Sequence, residues 1–127
     1  MSTIKVDAVE PRTTSSTITI GAAASNITAL TSATTITIDF NDNNNFSVTL
    51  GHNATFANPS NPTAGQTGSI FITQDGTGSR TASWGTNWDF IGGSAPTLTT
   101  TAAAIDRIDY VIVDSTNIQA VATLNYS

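Results

Sequence analysis

Cysteine is absent from the 127 residues. That excludes disulfides, thiolate metal sites and thiol nucleophiles, so stability has to come from packing or from partner chains. Charge is scarce as well. Only 10% of the residues are Asp, Glu, Lys or Arg, against about 25% in an ordinary domain. Lys5, Arg12, Arg80 and Arg107 are the only cations, and the net charge is -5. Such a chain has no electrostatic footprint for phosphates, so nucleic acid is not an expected partner. No apolar run approaches the roughly 18 residues of a membrane span, so no membrane partner is expected. The N-terminus lacks the apolar segment of a signal peptide, which leads us to expect assembly in the cytoplasm.

Hydroxyl and amide side chains fill the space that charge leaves: 24 Thr, 13 Ser and 11 Asn. Ile outnumbers Leu 13 to 4. β-branched side chains lose little in a pleated strand and more in a helix, so the expected class is all-β. At this length one domain with a modest core is expected. Residues 1–14 have no clear period and contain Pro11. They read as an extended N-terminal arm, with a single β domain over residues 15–127.

Along the chain, Thr17-Ile-Thr-Ile20 alternates as a half-buried strand does. The stretch from Thr13 to Ile38 carries no formal charge and is a candidate contact surface between chains. From Thr35 to Leu50 the pattern predicts a hairpin. Ile36, Ile38 and Phe40 share one face, Phe46, Val48 and Leu50 answer them, and Asn41 to Asn45 form the loop. Asp75-Gly76 between Ser69–Gln74 and Arg80–Trp84 predicts a second hairpin, with Gly76 taking a positive φ and Asp75 pairing with Arg80. Ile105 to Val113 reads as a long strand. Its Val111–Val113 run is apolar on both faces, so the strand is expected to be central. After the turn at Asp114 to Asn117, Ile118, Ala120, Ala122, Leu124 and Tyr126 alternate along a last strand. Eight to ten short antiparallel strands imply a β-sandwich or a jelly-roll-like fold.

Catalytic constellations are missing. Asp39, Asn41 and Asn43 have calcium-loop spacing, but Asn44 and Leu50 stand where the pattern needs Gly and Glu. A plain loop is the expectation, with no metal. His52 is the only histidine, and the chain supplies few partners for a triad or zinc site. Asp106 and Asp109 do not share a strand face and make no catalytic carboxylate pair. The expectation is that the protein is not an enzyme and holds no cofactor. Trp84 and Trp88 are candidates for stacking on a glycan, weighed against the need of a small core for large rings.

The order GQTGSIFITQDGTGSRTASWG (Gly65 to Gly85), then Trp88, GGSAPTLTT (Gly92 to Thr100) and Ala104-Ile105-Asp106 resembles a β module of phage tail fibres and other phage virion proteins. The matching region runs from Asn53 to Asp114. The opening Ser2-Thr-Ile-Lys-Val-Asp7 is similar to the start of short structural proteins of cyanobacterial phages. The resemblance implies a virion structural protein. One expectation is a capsid decoration, or cement, protein that binds the outer capsid as a homotrimer, with the major capsid protein as partner. Ile4, Lys5, Val6, Val9 and Arg12 would then form the capsid-contact arm. The other is a tail-fibre or tail-tip module that binds host surface glycans. A free lectin-like domain with no virus involved is a third.

Overall fold

A computed structural model describes residue 22 and residues 24–127. The chain alternates between two sheets as it advances. β1 (Ile27–Ala29), β3 (Asn45–Leu50) and β5 (Thr67–Gln74) lie side by side in one sheet. β2 (Thr35–Ile36), β4 (Ala54–Phe56) and β6 (Ala82–Trp84) form the other. Within each set the neighbours are parallel. The segment from β1 to β6 is therefore a flattened coil that visits each sheet three times.

β7 (Trp88–Phe90) and a 3-10 turn (Ile91–Gly93) follow, then β8 (Ile105–Asp114) and β9 (Asn117–Tyr126). β8 pairs antiparallel with β5 and with β9, and β7 runs parallel to the outer edge of β9. The larger sheet has the order β1-β3-β5-β8-β9-β7.

The all-β, two-sheet expectation holds, but antiparallel pairing is confined to β5, β8 and β9. Only two of the seven strand pairs, β5–β8 and β8–β9, are antiparallel. The predicted hairpin over Thr35 to Leu50 is one correction. All six residues assigned to its inner faces are buried, yet β2 and β3 belong to different sheets. Alternation specifies which face of a strand is buried and leaves its neighbour open. The hairpin at Asp75-Gly76 is a second correction, because β5 and β6 also belong to different sheets. Gly76 does not have a positive φ; Gly78 (φ 73°) and Ser79 (φ 62°) do. Asp75 shapes that turn by accepting from the Thr77 and Gly78 amides at 3.0 and 2.9 Å.

One apolar cluster fills the space between the sheets. In a parallel, in-register coil each inward side chain lies against its counterpart one rung away, about 4.8 Å along the stack. Ile36, Phe56 and Trp84 make one such column. The Phe56 and Trp84 rings are stacked, with centroids 4.5 Å apart and planes at 13°. Phe46, Ile70, Ile108 and Ala122 make another across the larger sheet. Outward positions carry the hydroxyls and amides. Thr55 Oγ1 meets Ser83 Oγ at 2.8 Å, and Asn45 donates to Ser25 Oγ at 2.8 Å while its Oδ1 accepts from the Ser69 amide. The Thr, Ser and Asn content thus serves ladders between successive coils.

Two buried polar side chains tie the long loops to this frame. Gln74 donates to the Arg80 and Thr99 carbonyls and accepts from the Arg80 amide. Asp106, 2% exposed, accepts from the Thr99 and Asn125 amides at 2.7 and 2.8 Å. Near the end of β9 an extra residue enters the ladder: between the pairs Ile105–Tyr126 and Arg107–Thr123, Asp106 alone on β8 faces Leu124 and Asn125 on β9. Asn125 takes φ 62° there. The bulge ends the alternation of β9 at Ala122 and brings Tyr126 onto the outer face, where Arg107 lies 5.2 Å from its ring centre.

Candidate association surface

One face of the larger sheet packs on the core and the other is open. On β8, Ile108, Tyr110 and Ile112 point inward and are buried, while Arg107, Asp109, Val111 and Val113 point outward. On β9, Ile118 and Ala120 are inward, and Gln119 and Val121 outward. Cross-strand register sets Val111 opposite Gln119 and Asp109 opposite Val121. The turn after β7 adds Ile91. Gly92 and Gly93, at φ 73° and 72°, bend the chain so sharply there that Ile91 stands 81% exposed. Val111 and Val121 are 46% and 44% exposed. With Ala120 and Gln119 they line a shallow depression of about 280 Å³. A contiguous apolar patch on a sheet face marks a contact site more often than a solvated one.

Two of the charges on this face pair with each other, while Asp89 on β7, opposite Gln119, stands exposed at its edge. Arg107 Nε lies 3.0 Å from Asp109 Oδ1, and the Ser69 hydroxyl donates to Asp109 at 2.6 Å. The depression therefore presents apolar side chains and one amide, with a closed ion pair at its rim.

The predicted site residues fall as follows. Ile4, Lys5, Val6, Val9 and Arg12 lie outside the described residues, as does the part of the neutral stretch before Ala22. Trp88 is 6% exposed, and its Nε1 donates to the Ala57 carbonyl at 3.1 Å. Trp84 is half-buried, with one face on Phe56 and edge contacts to Trp88 and Phe90. Both tryptophans thus belong to the aromatic end of the core, and stacking a sugar on Trp88 would require its extraction. Asp75 and Arg80 form the predicted pair, Nη2 to Oδ2 2.7 Å. The Arg80 guanidinium, with the Gly78 amide, holds the Asp75 carboxyl below its ordinary range. Asp106 and Asp109 point to opposite faces, as expected.

Asp39 Oδ1 accepts from the Asn41 amide and from Asn61 Nδ2, and Asn43 Oδ1 accepts from the Asn44 amide. The loop side chains cap their own backbone, as an Asx turn does. No group of three or more His, Asp or Glu among the described residues is placed to hold a metal ion. One juxtaposition was not foreseen: Ser32 Oγ lies 3.0 Å from His52 Nδ1. The same Oγ accepts from the Gly51 amide at 2.8 Å, and no carboxylate bonds to the ring among the described residues. The contact pins together the loops of two successive coils. No helix among the described residues is long and apolar enough to cross a membrane.

The association surface itself was missed by sequence reasoning at Val111, Val113 and Ile91. The Val111–Val113 run pointed to a central strand, and β8 does lie between β5 and β9, but a sheet covered on one side still leaves alternate residues out. The available signal for Ile91 was the Gly92-Gly93 pair directly after it. Comparison with protein families, with curated proteins and with solved structures finds no match to this chain.

Proposed function

We propose that the chain is a structural part of a bacteriophage particle, a decoration protein that sits on the outer capsid as a homotrimer and stabilises the shell. The observation that carries the reading is the open face of β8 and β9, where Ile91, Val111, Val113 and Val121 stand exposed around a closed ion pair. A building part needs a surface to be covered by its neighbours, and exposed apolar side chains on this face support that reading. The stretch that resembles phage virion modules spans β4 through β8, so it contains much of the core and half of that face. In this account the β8–β9 face joins sibling chains. The arm residues Ile4, Lys5, Val6, Val9 and Arg12 reach the major capsid protein. Several weak contacts per trimer then add through multivalency.

Deletion of residues 2–12 tests the division of labour. The reading expects the truncated protein to keep its fold and its oligomeric state and to lose attachment to capsids. Attachment at wild-type strength would remove the arm from the account. Binding of host glycans by the purified chain, with no affinity for capsids, would replace it with the fibre-tip role.

A further inference from the structure

The smaller sheet ends at β6, which among the described residues has a hydrogen-bonded neighbour, β4, on one side only. Its bonds to β4 fix which way each peptide group points. The Ala54 amide donates to the Thr81 carbonyl at 2.9 Å, and the Gly85 amide donates to the Phe56 carbonyl at 2.7 Å. Successive residues of a strand turn their peptide groups to opposite edges. Arg80, Ala82 and Trp84 therefore present theirs to the side away from β4. Those of Arg80 are taken. Gln74 Oε1 accepts from the Arg80 amide at 2.9 Å, while its Nε2 donates to the Arg80 carbonyl at 2.9 Å and to the Thr99 carbonyl at 2.8 Å. The side-chain amide of Gln74 thus does there what a peptide group of a neighbouring strand would do. The main chains of Ala82 and Trp84 have no such partner among the described residues.

Beyond Gln74 this edge opens on a cavity of about 450 Å³. Arg80 to Trp84 form one wall, and residues of the stretch from Ala95 to Thr100 form the other. The volume is that of a site for a small ligand or a short peptide stretch. Arg80 is the one charged residue in its lining, and Asp75 already pairs with it at 2.7 Å. Trp84, in the same wall, carries a buried Nε1 donor that also lacks a partner among the described residues. Such orphans are rare in a finished core.

We propose that this slot takes an extended, uncharged segment of a partner protein, added to the smaller sheet as a fourth strand beside β6. The main chain of the segment continues the ladder that Gln74 begins, bonding to Ala82 and Trp84. Strand geometry sets its side chains. Those beside Ala82 and Trp84, which are half-buried, are small and apolar; those beside Ser83, which is exposed, are hydroxyls or amides. A charged segment finds no counter-ion in the slot. A second copy of this chain is not the source, because every strand among the described residues is already paired and lending one would undo its own sheet. The inference stands apart from the virion role, since it needs only the β6 edge.

A capped peptide of alternating threonine and valine is the probe, with amide exchange at Ala82 and Trp84 as the readout. Without peptide both amides are expected to exchange fast at any protein concentration. Saturating peptide is expected to slow them by about tenfold or more, while the Ser83 amide, which faces β4, is slow throughout. Ala82→Pro removes one outward amide and spares the β4 ladder, as proline can on a strand edge, and should weaken the peptide by about tenfold or more. The same peptide with every amide N-methylated should protect neither residue in the unaltered protein, so the test holds even where the variant fails to fold. Amides that the peptide does not slow, or that the N-methylated peptide slows equally, would overturn the proposal. So would amides already slow in the free protein: at low concentration the slot is then filled by its own chain, and only at high concentration by a second copy.

Discussion

Gly68→Ala is the sharpest perturbation of the frame that presents β8 and β9. A methyl group at this position in β5 would lie 1.8 Å from the Asn44 carbonyl oxygen, 2.7 Å from its carbon and 2.9 Å from the Tyr110 hydroxyl. Relief to even 3.0 Å needs the carbonyl to move by 3.0 − 1.8 = 1.2 Å. That carbonyl accepts the Tyr110 hydroxyl at 2.6 Å, and a shift of this size breaks the bond. Overpacking costs about 1–3 kcal/mol, and a buried hydroxyl left without its partner about 1–3 kcal/mol more. The sum, about 2–6 kcal/mol, is a large part of the roughly 5–15 kcal/mol that holds a domain together. A fall of about 10–20 °C in melting temperature is expected, read by circular dichroism in the β region. Gly76→Ala is the control. It meets nothing within 4 Å and its φ is not positive, so it should shift stability by less than about 1 kcal/mol. In a Tyr110→Phe background the Gly68→Ala penalty should shrink by about 1 kcal/mol, because the hydroxyl bond is already gone. Melting of Gly68→Ala within about 2 °C of wild type would refute the close approach of β5 to Asn44.

Asp106→Ala leaves the Thr99 and Asn125 amides without their acceptor, and a loss of about 2–4 kcal/mol is expected; denaturant unfolding measures it, and a loss near zero would contradict the clamp. Trp88→Ala removes the ring that Phe40, Trp84 and Tyr110 all touch, which should cost about 3–5 kcal/mol; a fully folded, equally stable variant would show that the ring is not core. Stability should also vary with pH at both extremes. Hydrogen bonds from Asn61 to Asp39, from Arg80 to Asp75 and from the Thr116 amide to Asp114 hold these carboxyls below their ordinary range. A depressed folded-state pKa gives stability that is present above the unfolded value and lost as pH falls through the folded one, so melting temperature should decline below about pH 4. Burial pushes the Tyr110 phenol up, and that contribution is lost as pH rises beyond the unfolded value near 10. A melting temperature flat from pH 3 to pH 11 would contradict both.

What the sequence encodes locally it shows plainly. Inward positions from Ile36 to Leu50 are legible because a packed sheet face imposes a period of two. The β8–β9 hairpin is legible because Asp114 to Asn117 is a short turn between long strands, held by Asp114 Oδ1 accepting from the Thr116 amide. The parallel coil is not legible in the same way. Phe46 pairs with Ile70 across 24 residues, and Phe56 with Trp84 across 28. Nothing in the alternation of either strand names so distant a partner, and the distance between register partners grows from coil to coil. Gly76 illustrates the same limit at small scale, for Asp-Gly marks a turn and not the sheet to which the chain returns. Of the candidate site, Trp84 and Trp88 were legible as large rings; the place of Trp84 follows from Phe56 lying one rung away, and that of Trp88 from its edge contact with Trp84 and its pairing with Ile118. The exposed set at Ile91, Val111 and Val121 was hidden because an outward valine and an inward one read alike.

The central claim is that the outer face of β8 and β9, with its exposed valines, joins copies of this chain. Sedimentation velocity of the wild type and of Val121→Asp, at about 0.05 M and about 1 M salt, tests it directly. The account predicts a wild-type oligomer of one size at both salt concentrations, and a folded monomer for the variant, whose new carboxylate would be buried against apolar side chains while Arg107 of the facing copy is already paired with Asp109. A wild type that sediments as a monomer, or an oligomer that salt dissolves and Val121→Asp leaves intact, would contradict it.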